Sequence, residues 1–295
     1  MTPTSSLMPP DMRLWLTSHE PDLDDVQDVS WDRDDRKVWR VRSARGVVYV
    51  KRSSSPAAHE REIRAYRHAY CFAPTEVPRL LAADAEHRLI MTSAVPGVIV
   101  RDSALPAADE PRVHQAAGGL LRRWHELAEP VPAGGRAAVA ESADQQGQEA
   151  AMCLERIGRR LTAPHRAMIK LVASELPRLM RKLPVAWLHG DFQTRNWLWD
   201  NADGSLGVID FELAGHGVAV TDLVWLHGKI WLSRPDLRKA FLAGYGRELS
   251  DTEQSALSLL TARLAVSYLT TGLTQGDPGL VTRGRGVLDE LTGAE

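Results

Sequence analysis

The chain has 295 residues, of which 44% are hydrophobic, and a formal charge of -2 at pH 7. This length and apolar content allow a large core in one or two domains, and the near-neutral charge argues against nucleic acid or a membrane as partner. The only two cysteines, Cys71 and Cys153, are far apart in the sequence, which favours a reducing compartment, and they lack metal-type spacing, which argues against a zinc site. Residues 1–10 contain no basic segment or long apolar run, and no later stretch reaches membrane-spanning length, so we expect a cytoplasmic protein.

The first pair of predicted strands flanks residues 30–41, a segment without glycine. Asp34 and Asp35 tolerate turn conformations, and Arg36 or Lys37 can supply positive charge. No Walker A sequence occurs anywhere in the chain, so a P-loop fold has no support.

A β-rich run follows a glycine turn at residues 45–52 and places Tyr49 and Lys51 on the same face. Lysine is scarce in this arginine-rich chain, which favours a specific role for Lys51. Pro56 then opens a predicted helix that contains Glu60 and Glu62. These two carboxylates are two positions apart, so only one of them can face a given neighbour.

Residues 88–97 form an apolar strand that ends in small residues and a Pro-Gly turn. Beyond it the chain is predicted to be mainly helical, with one helix at residues 113–127 that Gly118 and Gly119 interrupt. We interpret His125 on this helix as a packed or capped residue rather than a catalyst. Residues 131–147, rich in Ala, Gly and Gln, are predicted to be a mobile connection.

Two short motifs carry the side chains on which the functional prediction depends. Residues 188–196 read LHGDFQTRN, with the pattern His-x-Asp-x-x-x-x-Asn, and residues 208–212 read VIDFE. Moving a γ-phosphoryl group requires positioning and charge neutralisation, which carboxylates and an amide oxygen provide. In this pattern Asp191 would accept the proton of the attacking hydroxyl, while Asn196 and Asp210 would hold magnesium ions at the nucleotide phosphates. The motifs therefore predict phosphoryl transfer.

Short strands are predicted at residues 186–189, 196–199 and 206–211, with a turn at 200–204. Asp191 would then lie in a loop after a strand, and Asp210 at the end of a hairpin strand.

These motifs resemble those of the aminoglycoside phosphotransferase family, which belongs to the protein-kinase-like superfamily with choline kinases and other small-molecule kinases. Phe211 and Glu212 stand where protein kinases have Phe-Gly. The resemblance implies an α+β, two-lobed fold that binds ATP, or GTP, and Mg²⁺ in the cleft between its lobes. The implied lobes are a small antiparallel-sheet lobe at residues 1–92, a hinge at 93–97, and a larger helical lobe at 98–295.

The resemblance also implies roles for individual residues. Lys51 would contact the α- and β-phosphates, and Glu62, preferred to Glu60 by the same analogy, would hold that lysine in place. The glycine-free segment at 30–41 departs from the glycine-rich phosphate loop of related kinases, so the resemblance does not determine how this segment would contact the phosphates.

Further implied roles concern the base and the catalytic loop. The carbonyl of Thr92 and the amide of Ala94 would hydrogen-bond the base, with Met91 behind it. Asp222 would bond backbone amides of the catalytic loop, although an Asp before an apolar helical run also often serves as an N-cap.

The interval between Asp210 and Asp222 is too short for the activation segment on which protein kinases dock a polypeptide. We therefore expect a small-molecule acceptor. Trp225 and Trp231 are interpreted as core residues rather than a stacking wall for that acceptor. Acidic side chains that could bind an amine, although each is more often a solvated helix charge, are Glu149, Glu155, Asp236, Glu248, Asp251, Asp289, Glu290 and Glu295.

The preferred acceptor is a basic antibiotic, either an aminoglycoside or a tuberactinomycin-type cyclic peptide, because the resemblance is to that branch. Two alternatives remain open. One is a metabolic kinase for choline, homoserine or an amino sugar, and the other is a nucleotide-binding module without catalytic activity.

Overall fold

A computed structural model describes residues 8–30, 37–127 and 131–293. Contacts between Cα atoms divide the chain into two compact units, each built from two stretches of sequence. As far as they are described, unit 1 comprises Met1–Ala104 and Thr194–Gly215, and unit 2 comprises Leu105–Gln193 and His216–Glu295. The fold class is confirmed, since one region is built on an antiparallel sheet and the other is mostly helical. The lobe boundaries at residues 92–98 stay a prediction.

Helices and strands make up most of the described residues. The helices, in chain order, are α1 (Pro10–His19), α2 (Pro56–Phe72), α3 (Glu110–His125), α4 (Gly135–Ile157), α5 (Ala163–Lys182), α6 (Val224–Leu226), α7 (Pro235–Tyr245), α8 (Asp251–Gln275) and α9 (Pro278–Thr292). The strands are β1 (Leu23–Asp28), β2 (Lys37–Ser43), β3 (Gly46–Arg52), β4 (Leu80–Asp84), β5 (Leu89–Ser93), β6 (Val98–Ile99), β7 (Val185–Leu188), β8 (Trp197–Asp200), β9 (Ser205–Val208) and β10 (Gly215–Val218).

Unit 1 is organised around a five-stranded antiparallel sheet in the order β1-β2-β3-β5-β4. Strand β3 is the run that contains Lys51, and it lies in the middle of this sheet. Val48 and Val50 of β3 are buried in an apolar cluster with Met12 and Leu16 of α1. Because side chains alternate along a strand, Lys51 points to the opposite face of the sheet, where it contacts α2.

Helix α2 begins at Pro56, as predicted, and the Ser55 side chain accepts a hydrogen bond from the Ala58 amide at its N-terminus. Its buried residues recur at helical spacing, and Glu62 is one of them, with no exposed surface. Glu60 is exposed on the same helix. The helix therefore directs Glu62, and not Glu60, toward the sheet.

A second sheet of unit 1 has the order β6-β8-β9, and its β8–β9 hairpin matches the hairpin predicted from the sequence. Asp200 closes the turn, because its side chain accepts a hydrogen bond from the Ala202 amide and its carbonyl accepts one from the Gly204 amide. Gly204 has φ of 71°, a conformation that glycine adopts without strain. This hairpin separates the two motifs.

In unit 2, helix α3 packs closely against α7. A Cβ atom at Gly118 would lie 2.0 Å from the carbonyl oxygen of Phe241, and one at Gly244 would lie 1.8 Å from that of Gln115. The expectation that Gly118 and Gly119 interrupt this helix is wrong, since α3 is continuous. The helix tolerates Gly118 because only a residue without a side chain fits this crossing.

The predicted mobile connection at residues 131–147 is also wrong. Helix α4 begins at Gly135, and its small residues Val139, Ala143 and Ala150 are buried. Gly147 lies against α5, where an added Cβ would be 3.0 Å from the Ala173 carbonyl oxygen. A stripe of small residues thus packs two helices closely, although its composition suggested a loop.

Helix α8 corrects a further expectation, that no stretch reaches membrane-spanning length. It has 25 residues and a best window of mean hydropathy 1.2, which is enough to span a membrane by length and composition alone. Within the structure 56% of that window is buried. The central helix of a folded domain passes the same test, and α8 packs against α9 and α5.

Candidate active site

Lys51 is at the centre of a cluster of charged side chains in unit 1. Its Nζ lies 3.0 Å from Glu62 Oε1, 2.6 Å from Asp210 Oδ1 and 3.2 Å from Glu212 Oε2. Strand β3 supplies the lysine, α2 supplies Glu62, and the segment after β9 supplies the other two carboxylates. The structure therefore brings together three residues that the sequence singled out. Their roles in nucleotide binding stay predictions.

Three carboxylates around one ammonium give the Lys51 cluster an excess of negative charge. Burial alone would lower the pKa of Lys51, but the charges of Glu62 and Asp210 outweigh it and raise that pKa well above its usual value. Burial raises the pKa of Glu62 to about 7, and Asp210 and Glu212 add to this effect while Lys51 opposes it. Near neutral pH the cluster favours the uptake of positive charge, either as a proton or as a metal ion.

Glu212 is a member of this cluster to which the sequence analysis gave no role. Its side chain is buried, and its Oε1 accepts a hydrogen bond of 3.2 Å from the Ser54 hydroxyl. Its backbone carbonyl accepts a 2.6 Å hydrogen bond from Arg61 Nε. The sequence feature that could have identified Glu212 is that it is an acidic residue where protein kinases have glycine. In the structure Glu212 faces Lys51.

Asn196 and Asp210, the predicted metal ligands, are joined through the base of the β8–β9 hairpin. The Ile209 amide donates a hydrogen bond of 3.0 Å to the Asn196 carbonyl. Asp210 has φ of 69°, which is uncommon for a residue other than glycine. Both side chains offer the oxygen ligands that Mg²⁺ prefers.

The surroundings of these two residues fit a metal ion that is shared with a phosphate ligand. Within residues 8–30, 37–127 and 131–293, no three His, Cys, Asp or Glu side chains form a group able to hold a metal ion alone. Mg²⁺ commonly takes only one or two protein carboxylates and completes its coordination with phosphates and water. The excess negative charge around Lys51 adds to this fit, because a divalent cation would neutralise it.

We expect Glu62→Gln to alter how stability depends on pH. The carboxyl of Glu62 has a pKa of about 7 in the folded protein and an ordinary value of 4.5. Between these pH values Glu62 is protonated in the folded protein and ionised in the unfolded chain, and this difference stabilises the folded state. The stabilisation is complete below pH 4.5 and is lost as pH rises through 7. This shift in pKa corresponds to a change of about 3 kcal/mol in the free energy of unfolding.

Urea denaturation across this pH range measures the effect. The unfolding free energy of the wild type should fall with rising pH relative to that of Glu62→Gln. The exposed Glu60→Gln variant is the control and should follow the wild type. Parallel curves for the wild type and Glu62→Gln would contradict the prediction.

In unit 2, Asp191 lies in the loop after β7, and Asp222 fixes the start of that loop. Asp222 is buried, and its carboxylate accepts hydrogen bonds from the amides of His189, at 2.8 Å, and Gly190, at 2.7 Å. The Gln193 side chain donates to the Asp191 carboxylate. These contacts have the form predicted for Asp222, and the role of Asp191 as a base stays a prediction.

His125 contacts this same carboxylate, so our interpretation of it as a packed or capped residue was incomplete. Its Nε2 lies 3.0 Å from Asp222 Oδ2, and its Nδ1 lies 2.9 Å from the Tyr245 hydroxyl. The tautomer with the proton on Nε2 satisfies both contacts, since it donates to Asp222 and accepts from Tyr245. A chain of hydrogen bonds thus runs from α7 through α3 to the loop that contains Asp191.

We predict that His125→Leu lowers kcat about tenfold and leaves the KM for nucleotide nearly unchanged. Losing a hydrogen bond to a buried carboxylate costs about 1.5–3 kcal/mol and would let the loop amides shift from their partner. Steady-state kinetics measures the effect. His125→Gln is the matched control, because its amide can still donate to Asp222 and should keep most of the activity. Equal losses in both variants would contradict a role for this hydrogen bond.

The residues predicted to contact the base lie in unit 1, on β5 or just after it. Met91 is buried in the apolar cluster under α1, on the face of the sheet opposite Lys51. This position does not favour the predicted contact between Met91 and the base. Thr92 shares the face of Lys51, and the Ala94 amide already donates to the Val47 carbonyl over a long 3.4 Å. The contacts of Thr92 and Ala94 with the base stay predictions.

The described residues include residue 30 and residues 37–41 of the glycine-free segment. Asp34, Asp35 and Arg36 lie outside the described residues. Lys37 begins β2, and its Nζ is 4.0 Å from Asp28 Oδ2, at the outer limit of an ion pair.

Several acidic residues that were considered for amine binding form ion pairs within unit 2. The pairs are Glu149 with Arg263 and Asp236 with Arg234, and the carboxylate of Asp289 lies 2.8 Å from Nε2 of His165. Four others have no ion-pair partner among the described residues: Glu155, Glu248, Asp251 and Glu290. Glu295 lies outside those residues. The aromatic Trp231 is buried 5.1 Å from the ring of Phe241, as expected for a core residue.

Comparisons with known proteins agree with this architecture. The model of the phosphotransferase enzyme family matches residues 25–258. No protein among curated sequences matches the chain. Solved structures do match it, at identities that show the fold alone.

The streptomycin–ATP ternary complex of APH(2")-IIa is 15% identical with a TM-score of 0.67, and the match covers 97% of this chain and 99% of that one. The GDP complex of aminoglycoside 2'-phosphotransferase-IIIa is 17% identical with a TM-score of 0.71, covering 96% and 98%. The macrolide 2'-phosphotransferase MphH from Brachybacterium faecium is 17% identical with a TM-score of 0.60, covering 97% and 98%.

The matched residues of the family model include all of the Lys51 cluster, the loop of Asp191 and its anchor Asp222. The protein therefore belongs to the aminoglycoside phosphotransferase family and is a phosphotransferase that acts on a hydroxyl group of a small molecule.

Proposed function

We propose that the protein transfers the γ-phosphoryl group of ATP, or GTP, to a hydroxyl of a basic antibiotic and so confers resistance to it. The observation that carries this proposal is the Lys51 cluster, in which one ammonium contacts Glu62, Asp210 and Glu212. An ammonium fixed by carboxylates suits the binding of nucleotide phosphates, and the same surplus of carboxylate suits Mg²⁺.

Each chemical residue has a separate task in the proposed reaction. Lys51, oriented by Glu62, binds the α- and β-phosphates. Asn196 and Asp210 hold Mg²⁺, which neutralises charge on the phosphates when bound. Asp191 positions the acceptor hydroxyl and takes its proton, on a loop that Asp222 holds through two amides.

The choice of acceptor class rests on structural relatives and on charge. Structures of the same fold include complexes with streptomycin, gentamicin or kanamycin, and complexes with ATP, ADP or GDP. Unit 2 keeps four acidic side chains that have no ion-pair partner among its described residues, and such groups can bind amines. These features support an aminoglycoside or a tuberactinomycin-type cyclic peptide as the acceptor.

Mg²⁺-dependent release of ADP, measured with a panel of acceptors, tests the proposal. Aminoglycosides and capreomycin-like peptides should stimulate release, and mass spectrometry of the stimulating compound should show one added phosphate. Parallel assays with GTP identify the preferred donor. Stimulation by choline, homoserine or an amino sugar alone would replace resistance with a metabolic role. Tight nucleotide binding without stimulation by any compound would contradict the proposal that the acceptor belongs to this panel, and would favour a nucleotide-binding module without catalytic activity.

A further inference from the structure

A groove in unit 1 lies between helix α2 and the edge strand β4. Its volume is about 400 Å³, within the range of small-molecule sites. The residues that line it are Tyr66, Arg67, Tyr70, Arg79, Leu80, Leu81, Ala82 and Ala83. None of these is acidic, so the only charges that line the groove are positive.

The two positive side chains stand on different elements of the groove. Arg67 belongs to α2, and Arg79 precedes β4. Both are exposed, and neither guanidinium has a hydrogen-bond or ion-pair partner in the described part of the chain. By contrast, Arg61 and Arg88 in the same unit donate to the carbonyls of Glu212 and Ser54.

The backbone on both sides of the groove is held in place. The Arg79 amide donates a 2.9 Å hydrogen bond to the Ser93 hydroxyl, and its carbonyl accepts one of 2.9 Å from the Ser93 amide. Arg67 lies within the regular turns of α2. Tyr70, half-buried in the same wall, has a hydroxyl with no described partner. A ligand would therefore meet donors on a backbone that is already ordered, which lowers the entropy cost of binding.

The shape of the edge strand favours a small ligand over an added peptide strand. Strand β4 has only five residues, and its register against β5 shifts between Leu80 and Ala82. Short, irregular edges are poor templates for strand addition. Two guanidiniums, each with a planar set of N–H donors, instead match the oxygens of a phosphate or carboxylate.

We propose that this groove is a second ligand site, which binds a small anion bearing a phosphate or carboxylate group through Arg67, Arg79 and the Tyr70 hydroxyl. The ligand's apolar part lies against Leu80 and Leu81, the latter 39% exposed. This site is distinct from the Lys51 cluster and does not depend on the identity of the acceptor.

Tyr66 connects the groove to the Lys51 cluster. It lines the groove, its ring packs edge-on against Phe211 at 5.2 Å, and burial together with the nearby charge of Glu62 raises the pKa of its hydroxyl. A ligand that contacts this wall therefore acts on the carboxylate that holds Lys51. Occupancy of the groove should change the affinity of the protein for Mg-ADP.

Isothermal titration calorimetry of the full chain tests the site, with phenyl phosphate as the phosphate probe and phthalate as the carboxylate probe. At least one probe should bind, with and without saturating Mg-ADP. Arg67→Ala and Arg79→Ala should each weaken its binding about tenfold or more. Arg64→Ala is the matched control, because Arg64 is on the same helix but does not line the groove. None of the three arginines is buried, so thermal unfolding should show that the variants fold normally.

Several results would overturn the proposal. One is the absence of binding by either probe at millimolar concentration, and another is wild-type affinity in both groove variants. Loss of probe binding in saturating Mg-ADP, together with wild-type probe affinity in Arg67→Ala and Arg79→Ala, would place the probe in the nucleotide site instead. Binding of an acidic peptide but of neither probe would mean that the groove takes a protein partner. The link to Lys51 fails if Tyr66→Phe, which lacks the hydroxyl, still shows an Mg-ADP affinity that responds to the probe.

Discussion

Replacing Asp191 by alanine should abolish phosphoryl transfer and leave nucleotide binding nearly unchanged. Asp191 lies in unit 2, whereas the residues proposed to bind the nucleotide lie in unit 1. Removal of a general base lowers a rate by about 10²–10⁴-fold. The loop itself should persist, because Asp222 bonds the amides of His189 and Gly190 rather than the side chain of Asp191. We expect kcat to fall by at least about 10²-fold with an unchanged Kd for Mg-ADP.

Single-turnover transfer and calorimetric titration of Mg-ADP measure these two quantities. Asp203→Ala is a suitable control, since Asp203 is exposed in the β8–β9 turn and should keep full activity. Retained turnover in Asp191→Ala would remove this residue from the mechanism. Loss of nucleotide binding together with turnover would indicate a general loss of structure instead.

Lys51→Met should destabilise the protein at neutral and higher pH as well as abolish nucleotide binding. The substitution leaves Glu62 and Glu212 buried without the ammonium that they contact. Breaking a buried pair by removing one partner costs about 3–5 kcal/mol. Asp210 adds less, because its side chain is 38% exposed and water screens its charge. The loss should shrink as pH falls, because protonation of Glu62 removes the unpaired charge, and this should begin at higher pH than in the wild type, since Lys51 no longer lowers the pKa of Glu62.

Urea denaturation of the wild type and of Lys51→Met at several pH values checks this prediction. Lys37→Met provides the control, because Lys37 only approaches Asp28 to 4.0 Å and should cost little at any pH. Added Mg²⁺ should also restore part of the stability of Lys51→Met, since a metal ion can replace the missing positive charge. A loss of stability that is independent of pH and Mg²⁺ would show that packing, and not charge, explains the effect of the substitution.

Local sequence patterns sufficed where a single periodicity decides which way a side chain points. The alternation along β3 separated Lys51 from Val50. The helical spacing of α2 showed that Glu60 and Glu62 point in different directions, while the choice of Glu62 came from the family resemblance. The β8–β9 hairpin was readable because Asp200 and Gly204 are typical turn residues. These elements are short in sequence and require no knowledge of distant contacts.

Contacts between distant segments were not predictable in the same way. Glu212 reaches Lys51 from a segment far along the chain, and His125 reaches Asp222 across two helices. The small residues of α3 and α4 suggested a break and a loop. In the structure they allow close packing against α7 and α5, and the local sequence does not identify these partner helices. The contact of Met91 with the base was assigned by analogy and stays a prediction; the sheet places Met91 on the face opposite Lys51, which the sequence analysis did not consider.

The division of unit 1 into two stretches of sequence has a consequence for how the protein is made. Residues 1–104 contain Lys51 and Glu62, but Asp210, Glu212 and the β8–β9 hairpin come from residues 194–215, after much of unit 2 has been synthesised. A ribosome that has released only the first stretch presents a sheet without the hairpin and a lysine with a single carboxylate partner. Unit 1 therefore cannot be completed before the chain has passed residue 215, and a protease or a premature stop within residues 105–193 would leave both units incomplete.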